Sequence, residues 1–225
     1  MVQELGIKVC SVRDQVYDRM RNMIIDSVLA SGARLDLNHI VSMFGVSKTP
    51  VNEAVQKLIQ DGLLDAKPRS GTFVSVLNPE EIDMTFDFRM ALESGAADTI
   101  VAHMTNEGLT GLRETHFRME ELLPSGDPER SQSFPGLDAE FHDRVVSAAG
   151  NSLLLEQYCQ VNTLSTVARA RGRFPAGTYE ATLAEHKAII ADLAARDVDG
   201  FRLASRVHAK GAKQRIRVAL LANRA

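Results

Sequence analysis

The chain has 225 residues, of which 44% are hydrophobic and 24% are charged, a composition typical of a globular protein large enough for two small domains. No apolar run is long enough to span a bilayer, and no secretory leader is visible. The two cysteines, Cys10 and Cys159, are too few for a disulfide framework. These three observations favour a cytoplasmic protein without membrane contact. The net charge is −3, with nine Lys and Arg against eight Asp and Glu in residues 1–75, so any DNA contact depends on local placement of charge.

The first part of the chain predicts three helices followed by a β-hairpin. Apolar residues at helical spacing indicate helices over 12–31, 37–45 and 47–62. Ser47 is a suitable N-cap for the third helix, and Pro50 lies in its first turn, where a missing N–H is harmless. Two β-prone runs over 63–76 flank a Pro-Arg-Ser-Gly turn. This order of elements predicts a winged helix-turn-helix domain over residues 1–77.

The rest of the chain, residues 78–225, predicts an antiparallel all-α helical bundle. Asn78-Pro79-Glu80-Glu81 indicates a short hinge with an N-cap. Helical segments follow at about 79–103, 106–123, 136–148, 151–170, 178–196 and 198–222. The predicted fold class is therefore mainly α.

Polar side chains at the start of the third helix are of the types that reach base edges and phosphates. The predicted DNA-binding residues are Ser47, Lys48, Thr49 and Asn52 on that helix, with Lys67, Arg69 and Gly71 on the hairpin. Lys67 is equally typical of a solvated surface charge. A helix-turn-helix used only for protein contact is the alternative for the whole domain.

The same domain resembles the DNA-binding domain of GntR-family regulators. The resemblance rests on the segment Ser47-Lys48-Thr49-Pro50-Val51-Asn52-Glu53-Ala54, then Gly62-Leu63, then Gly71-Thr72-Phe73-Val74. Lys48 and Asn52 stand where the family pattern has arginines. Lys48 keeps the charge without the bidentate fork of arginine, and Asn52 removes the charge.

One carboxylate and three imidazoles in the second domain form a candidate metal set. Asp138 and His142 are four residues apart on one predicted helix, so their side chains can converge on a single ion. His186 and His208 lie on the last two predicted helices, 178–196 and 198–222. Such a set suits a divalent ion of the zinc, nickel or manganese class and leaves positions open for water or an anion. The alternative is that these histidines are only packing residues, as we predict for His116.

The second domain resembles the FCD ligand-binding domain of the FadR subfamily, in its six-helix VanR-like form. The segments that carry the resemblance are Phe88-Arg89-x-x-Leu92-Glu93, Asp138-x-x-Phe141-His142, Gly150-Asn151, Glu185-His186 and His208. The resemblance implies a small organic-acid effector. Arg89 is the candidate clamp for its carboxylate, with a salt bridge to Glu93 at i+4 as the alternative. The basic run of the last helix is predicted to be surface: Arg202, Arg206, Lys210, Lys213, Arg215 and Arg217.

These features predict a DNA-binding transcriptional repressor controlled by a small carboxylate, and not an enzyme. It should bind double-stranded operator DNA as a homodimer, because one recognition helix reads only a few base pairs. The first helix of the sensor domain is the expected seam. A metal-dependent hydrolase is the competing class, but no HExxH, GxSxG or P-loop motif accompanies the metal set. Glu185 is the one candidate general base, and it points about 100° away from its neighbour His186 on the helix.

Overall fold

The computed structural model describes residues 11–76, 78–123, 133–171, 174 and 177–222. Cys10 and most of the segment between the predicted second and third sensor-domain helices lie outside this part of the chain. The chain forms two compact units that divide after Val76. The described residues are mostly helical with one small sheet, which confirms the predicted mainly-α fold class. Among them, no helix is long and apolar enough to cross a membrane.

The first unit contains three helices and a hairpin. They are α1 Val12–Ile25, α2 Leu37–Phe44, α3 Lys48–Gln60, β1 Leu64–Lys67 and β2 Gly71–Val74. The Ser11 and Asp36 side chains accept hydrogen bonds from backbone N–H groups in the first turns of α1 and α2, which fixes where those helices begin. Met20, Ile40 and Leu58, one from each helix, are buried together in the core of this unit.

Helix α1 ends six residues before the predicted end at residue 31. Ser27 has a φ of 57°, in the left-handed region that stops an α-helix. The Leu29 N–H then bonds back to the Met23 carbonyl, so the chain turns away from the helix axis. Val28, which lies within the predicted helix, is 68% exposed as a result.

The wing and the helix-turn-helix joint both depend on glycines with positive φ. Gly45 closes α2 with a φ of 65° and so gives the tight turn into α3. The antiparallel hairpin pairs Leu64 with Val74 and Lys67 with Gly71. Gly71 has a φ of 112°, and a Cβ there would lie 3.0 Å from Nε of Arg34. The wing therefore requires glycine at this position for both conformation and space.

The second unit is a helical bundle. Its described helices are α4 Pro79–Gly95, α5 Ala97–His103, α6 Asn106–Glu120, α7 Phe134–Ser147, α8 Ser152–Arg171, α9 Thr178–Ala195 and α10 Val198–Ala222. The single helix predicted over 79–103 is divided at Ala96, whose φ of −94° and ψ of 1° break the helical path. This break lets α5 turn Ile100 and Val101 into the core.

A capping box fixes the start of α4, directly after the first unit. The Asn78 side chain accepts from the Glu80 N–H, and the Glu81 carboxylate accepts from the Asn78 N–H. Pro79 occupies the first turn, as predicted. Helix α4 then packs along α8 and α10, where its residue Phe86 meets Ile216 of α10 in an apolar cluster.

Candidate metal centre

The bundle brings the four predicted metal ligands to one point in its interior. Asp138 and His142 come from consecutive turns of α7, His186 from α9 and His208 from α10. One ligand atom of each lies within 4.8 Å of the ligand atoms of the other three. All four side chains are buried. Spacing on one helix explains the first pair, and helix packing brings in the two further histidines.

The distances between these atoms fit a single ion. Nε2 of His142 lies 2.9 Å from Nε2 of His208 and 3.2 Å from Nε2 of His186. Oδ1 of Asp138 lies 3.6 Å from Nε2 of His186. Two ligands that bind one ion at about 2.1 Å are separated by roughly 3.0–3.4 Å. Imidazole nitrogens this close to one another need a cation or a shared proton between them, so the donor set suits a divalent metal.

A carboxylate behind His208 orients its ring. Nδ1 of His208 lies 2.8 Å from Oε2 of Glu185, and a carboxylate can only accept, so Nδ1 carries the hydrogen and Nε2 faces the other ligands. Arg215 donates two hydrogen bonds to Glu185, at 2.7 and 2.6 Å. Partial burial would raise the pKa of Glu185, but the bonds from Arg215 and His208 outweigh it and lower this pKa to about 2.

Arg215 corrects one expectation from the sequence. It was grouped with the surface charges of the last helix, yet it is one of the half-buried groups of the bundle and pairs with α9. Arg202 and Lys213 of the same run are also only partly exposed. What distinguishes Arg215 is its partner, because Arg217 and Lys213 pair with Asp83 and Asp87 of α4 instead.

A second carboxylate lies behind His142. Oε1 of Glu93, on α4, is 3.7 Å from Nδ1 of His142. The same oxygen accepts hydrogen bonds from the Tyr158 hydroxyl at 2.5 Å and from Nε of Arg89 at 2.9 Å. The alternative salt bridge of Arg89 with Glu93 is therefore present, and Glu93 also faces the predicted metal ligand His142.

The two terminal nitrogens of the Arg89 guanidinium lie beside Glu93 and are not used in its hydrogen bond. The side chain is completely buried, and Nη1 and Nη2 have no hydrogen-bond partner among the described residues. Burial alone would lower the pKa of the guanidinium, but the acidic groups of Tyr158 and Glu93 outweigh it and raise this pKa above its ordinary value. Two donor groups of a buried guanidinium thus have no partner among the described residues.

A cleft approaches the metal ligands between α7, α9 and α10. Its lining comprises Phe134, Asp138, Phe174, Thr178, Tyr179, Thr182, Ala212, Arg215 and Ile216. Asp138 and Arg215 give this mostly apolar wall one anionic and one cationic group.

The remaining aromatic and histidine contacts hold His186 in place. Its ring stacks on Phe141 with the centroids 4.1 Å apart and 9° between the planes. His116 is buried, and its Nε2 lies 3.1 Å from the carbonyl oxygen of Leu183, one turn before His186. His116 is thus a packing residue of the bundle, in keeping with the reading of the sequence.

The predicted DNA-contacting residues are exposed on the first unit. Ser47, Lys48, Thr49 and Asn52 lie around the N-terminal end of α3, and Lys67, Arg69 and Gly71 lie at the tip of the hairpin. The opposite face of α3 is buried through Val51, Ala54 and Leu58. Helix α3 therefore leaves its polar face free for a ligand.

Comparison with known proteins agrees with this arrangement. Residues 12–74 match the family described as bacterial regulatory proteins, gntR family, and residues 84–211 match the FCD domain. The chain is 30% identical over 206 residues to an HTH-type transcriptional regulator from an unstable DNA locus of Streptomyces ambofaciens, covering 87% of this chain and 81% of that protein. The protein belongs to the GntR family of transcriptional regulators and carries an FCD domain. As a regulator of this family it is not an enzyme.

Further relatives of this GntR-family regulator include repressors. The HTH-type transcriptional repressor RspR of Escherichia coli is 26% identical over 210 residues, which cover 92% of this chain and 89% of that protein. Among solved structures, E. coli McbR/YncC superposes with a TM-score of 0.78 at 22% identity over 95% of this chain and 99% of that chain. A GntR regulator from Rhodococcus sp. RHA1 gives a TM-score of 0.72 at 22% identity over 92% and 98%. Both structures share the fold.

Proposed function

We propose that this regulator is a cytoplasmic repressor that binds double-stranded operator DNA as a homodimer and is released or retained by a small organic acid. The acid binds at a divalent metal ion, of the zinc, nickel or manganese class, inside the FCD domain. The observation that carries the proposal is the buried cluster of one aspartate and three histidines from three helices. A FadR-subfamily, VanR-like assignment is part of the same proposal.

Asp138, His142, His186 and His208 are the proposed metal ligands. Four protein ligands leave positions open on an ion that accepts five or six, and a bound metal supplies a Lewis-acidic centre for a carboxylate oxygen. The protein contributes a dry, shaped site and the two carboxylates behind the imidazoles. Because the ligands come from three helices, metal binding adds directly to the stability of the bundle.

Arg89 is the proposed partner for the far carboxylate of the effector. Its two unused Nη groups support this role, and the bond from Nε to Glu93 holds the fork in a fixed direction. Glu93 also faces His142, so one carboxylate contacts both the proposed effector-binding residue Arg89 and a proposed metal ligand. A small dicarboxylate or hydroxy acid fits this combination of an ion and a guanidinium.

The exposed face of α3 and the hairpin are the proposed contacts to DNA. Ser47, Thr49 and Asn52 carry short polar groups that reach base edges, whereas Lys48 is placed for a phosphate. Homodimerisation brings two such faces to paired half-sites. On α4, Met84 and Phe88 are 64% and 47% exposed one turn apart, which supports this helix as part of the dimer seam.

The test is operator binding with and without metal. Fluorescence anisotropy is measured with a DNA fragment from the promoter of its own gene, using protein as purified, after chelation and after zinc is restored, while elemental analysis gives the metal content. We expect close to one ion per chain and an operator affinity that changes with metal and is restored by it. His142→Ala should lose the ion, and His103→Ala, an exposed histidine, should keep it.

Two results would contradict the proposal separately. Failure to bind any promoter fragment more tightly than random DNA would remove the repressor function. If the purified protein contains less than about a tenth of an ion per chain and His142→Ala melts at the same temperature as the parent, the histidines only pack the core.

A further inference from the structure

A two-residue support stands behind one of the proposed metal ligands. His208 contacts Glu185 through Nδ1, and Glu185 is held by both terminal nitrogens of Arg215. Glu185 belongs to α9 and is the residue before His186, whereas Arg215 belongs to α10 and follows His208 by two helical turns. The support therefore ties together the two helices that supply these two histidines.

Resting on the metal site proposed above, we propose that Glu185, fixed by Arg215, is the positioning residue that presents Nε2 of His208 to the ion. A neutral imidazole can carry its hydrogen on either nitrogen, and only the Nδ1–H form leaves Nε2 free to bind a metal. Glu185 selects that form, because a carboxylate accepts the Nδ1 hydrogen. Carboxylates placed in this way also fix ring direction and raise the basicity of the ligand.

Arg215 acts through Glu185 and not on the ion. Its bidentate contact fixes both carboxylate oxygens, so that Oε2 remains on His208 while Oε1 is held away from it. Gly211 of α10 leaves room for the pair in this arrangement. A Cβ at Gly211 would lie 2.8 Å from Oε1 of Glu185 and 2.8 Å from Nη1 of Arg215.

The pair also connects the ion with the cleft. Arg215 lines the same cleft as Asp138, so the guanidinium that fixes Glu185 faces the approach to the metal site. An anion that draws Arg215 away from Glu185 would thereby loosen His208. Positioning by Glu185 and Arg215 is the part of this arrangement that a direct measurement of metal affinity can test.

Arg215→Gln is the decisive variant because two explanations predict opposite changes in zinc affinity. Removing a positive charge near a bound cation strengthens cation binding if charge alone matters. Removing the group that fixes Glu185 weakens it if positioning matters. Zinc affinity of the full-length protein is measured by competition with a fluorescent chelator. We expect Glu185→Gln to lose about 10–100-fold and Arg215→Gln on the order of 10-fold.

A double variant and two controls complete the test. If Arg215 acts only through Glu185, adding Arg215→Gln to Glu185→Gln should cost no further affinity, which is a strongly non-additive cycle. Lys210→Gln on α10 and Glu180→Gln on α9, both exposed, change the same charges on the same helices and should bind zinc like the parent. Cobalt replaces zinc for a second readout, since its visible absorption reports coordination and should change in Glu185→Gln.

The outcomes separate this inference from the proposed function. If the parent protein binds zinc and Arg215→Gln binds it as tightly or more tightly, the positioning role is wrong and the metal site stands. Additive losses in the double variant would overturn the claim that Arg215 acts through Glu185. Parent protein that binds neither zinc nor cobalt would overturn the proposed metal site itself.

Discussion

Replacing Gly211 with alanine should weaken zinc binding without lowering the stability of the metal-free protein. The new Cβ would meet Glu185 and Arg215 at 2.8 Å each, about 0.6 Å closer than ordinary van der Waals contact, so the pair must move. Its hydrogen bonds of 2.6–2.7 Å cannot all survive such a shift. We expect zinc affinity to fall on the order of 10-fold, which corresponds to about 1.4 kcal/mol.

The same Gly211→Ala substitution should maintain or raise the stability of the metal-free protein, whereas it lowers zinc affinity. Gly211 lies in the middle of α10, and alanine is favoured over glycine in a helix interior by about 1 kcal/mol. The loss of the Glu185–Arg215 ion pair, whose side chains are 18% and 20% exposed, offsets part of this gain. The free energy of unfolding of the metal-free protein should therefore hold or rise, with a melting temperature unchanged or higher by roughly 2–4 °C.

Thermal unfolding of the metal-free protein and zinc competition measure the two effects separately. Gly95→Ala is the matched control, because Gly95 is helical, exposed and has nothing within 4 Å of a built Cβ. It should leave zinc affinity unchanged. If Gly211→Ala binds zinc within twofold of the parent, the argument that Gly211 makes space for the Glu185–Arg215 pair is refuted.

Three further predictions concern DNA recognition, the first unit and assembly. Thr49→Ala should weaken specific operator binding by about 1–3 kcal/mol, whereas Lys48→Ala should weaken binding to all sequences and reduce the slope of log affinity against log salt concentration by about one. Anisotropy titrations over a range of salt concentrations distinguish the two effects. If both variants bind DNA like the parent, another face of the unit reads DNA. Tyr17→Phe removes the hydroxyl that donates to Asp61 at 2.5 Å and should lower the stability of the first unit by about 1–2 kcal/mol in denaturant unfolding; an unchanged midpoint would show that water replaces the bond. Light scattering should give a mass twice that of one chain at micromolar concentration, and a monomer with a single half-site footprint would rule out the dimer.

The fold class and the first two candidate ligands were accessible from the sequence because they depend on local rules. Asp138 and His142 follow from i,i+4 spacing on a helix. His186 and His208 needed the resemblance to a family, since spacing alone does not say which helices meet. The early end of α1 was missed because Ser27, which takes the left-handed conformation, carries no strong signal for it.

The supports behind the ligands were not predictable in the same way. Glu185 was considered only as a base for its neighbour His186, from which it points away on the helix. It serves His208 on the adjacent helix instead, a contact set by the register of α9 against α10. Arg215 looks like its basic neighbours in the sequence, and only packing sets it apart. For Arg89, two readings that were treated as alternatives are compatible, because Nε bonds to Glu93 while both Nη groups remain unused.

Helix α4 connects the proposed metal site with the start of the second unit. Glu93 touches the ligand environment, and the capped end at Pro79 lies fourteen residues earlier on the same rigid rod, a distance of about 21 Å at 1.5 Å per residue. A pivot of only about 5° at Glu93 therefore sweeps the capped end through about 2 Å, comparable with the helix displacements that switch other proteins. Small adjustments at the proposed metal site are thus amplified by length alone at the start of the second unit.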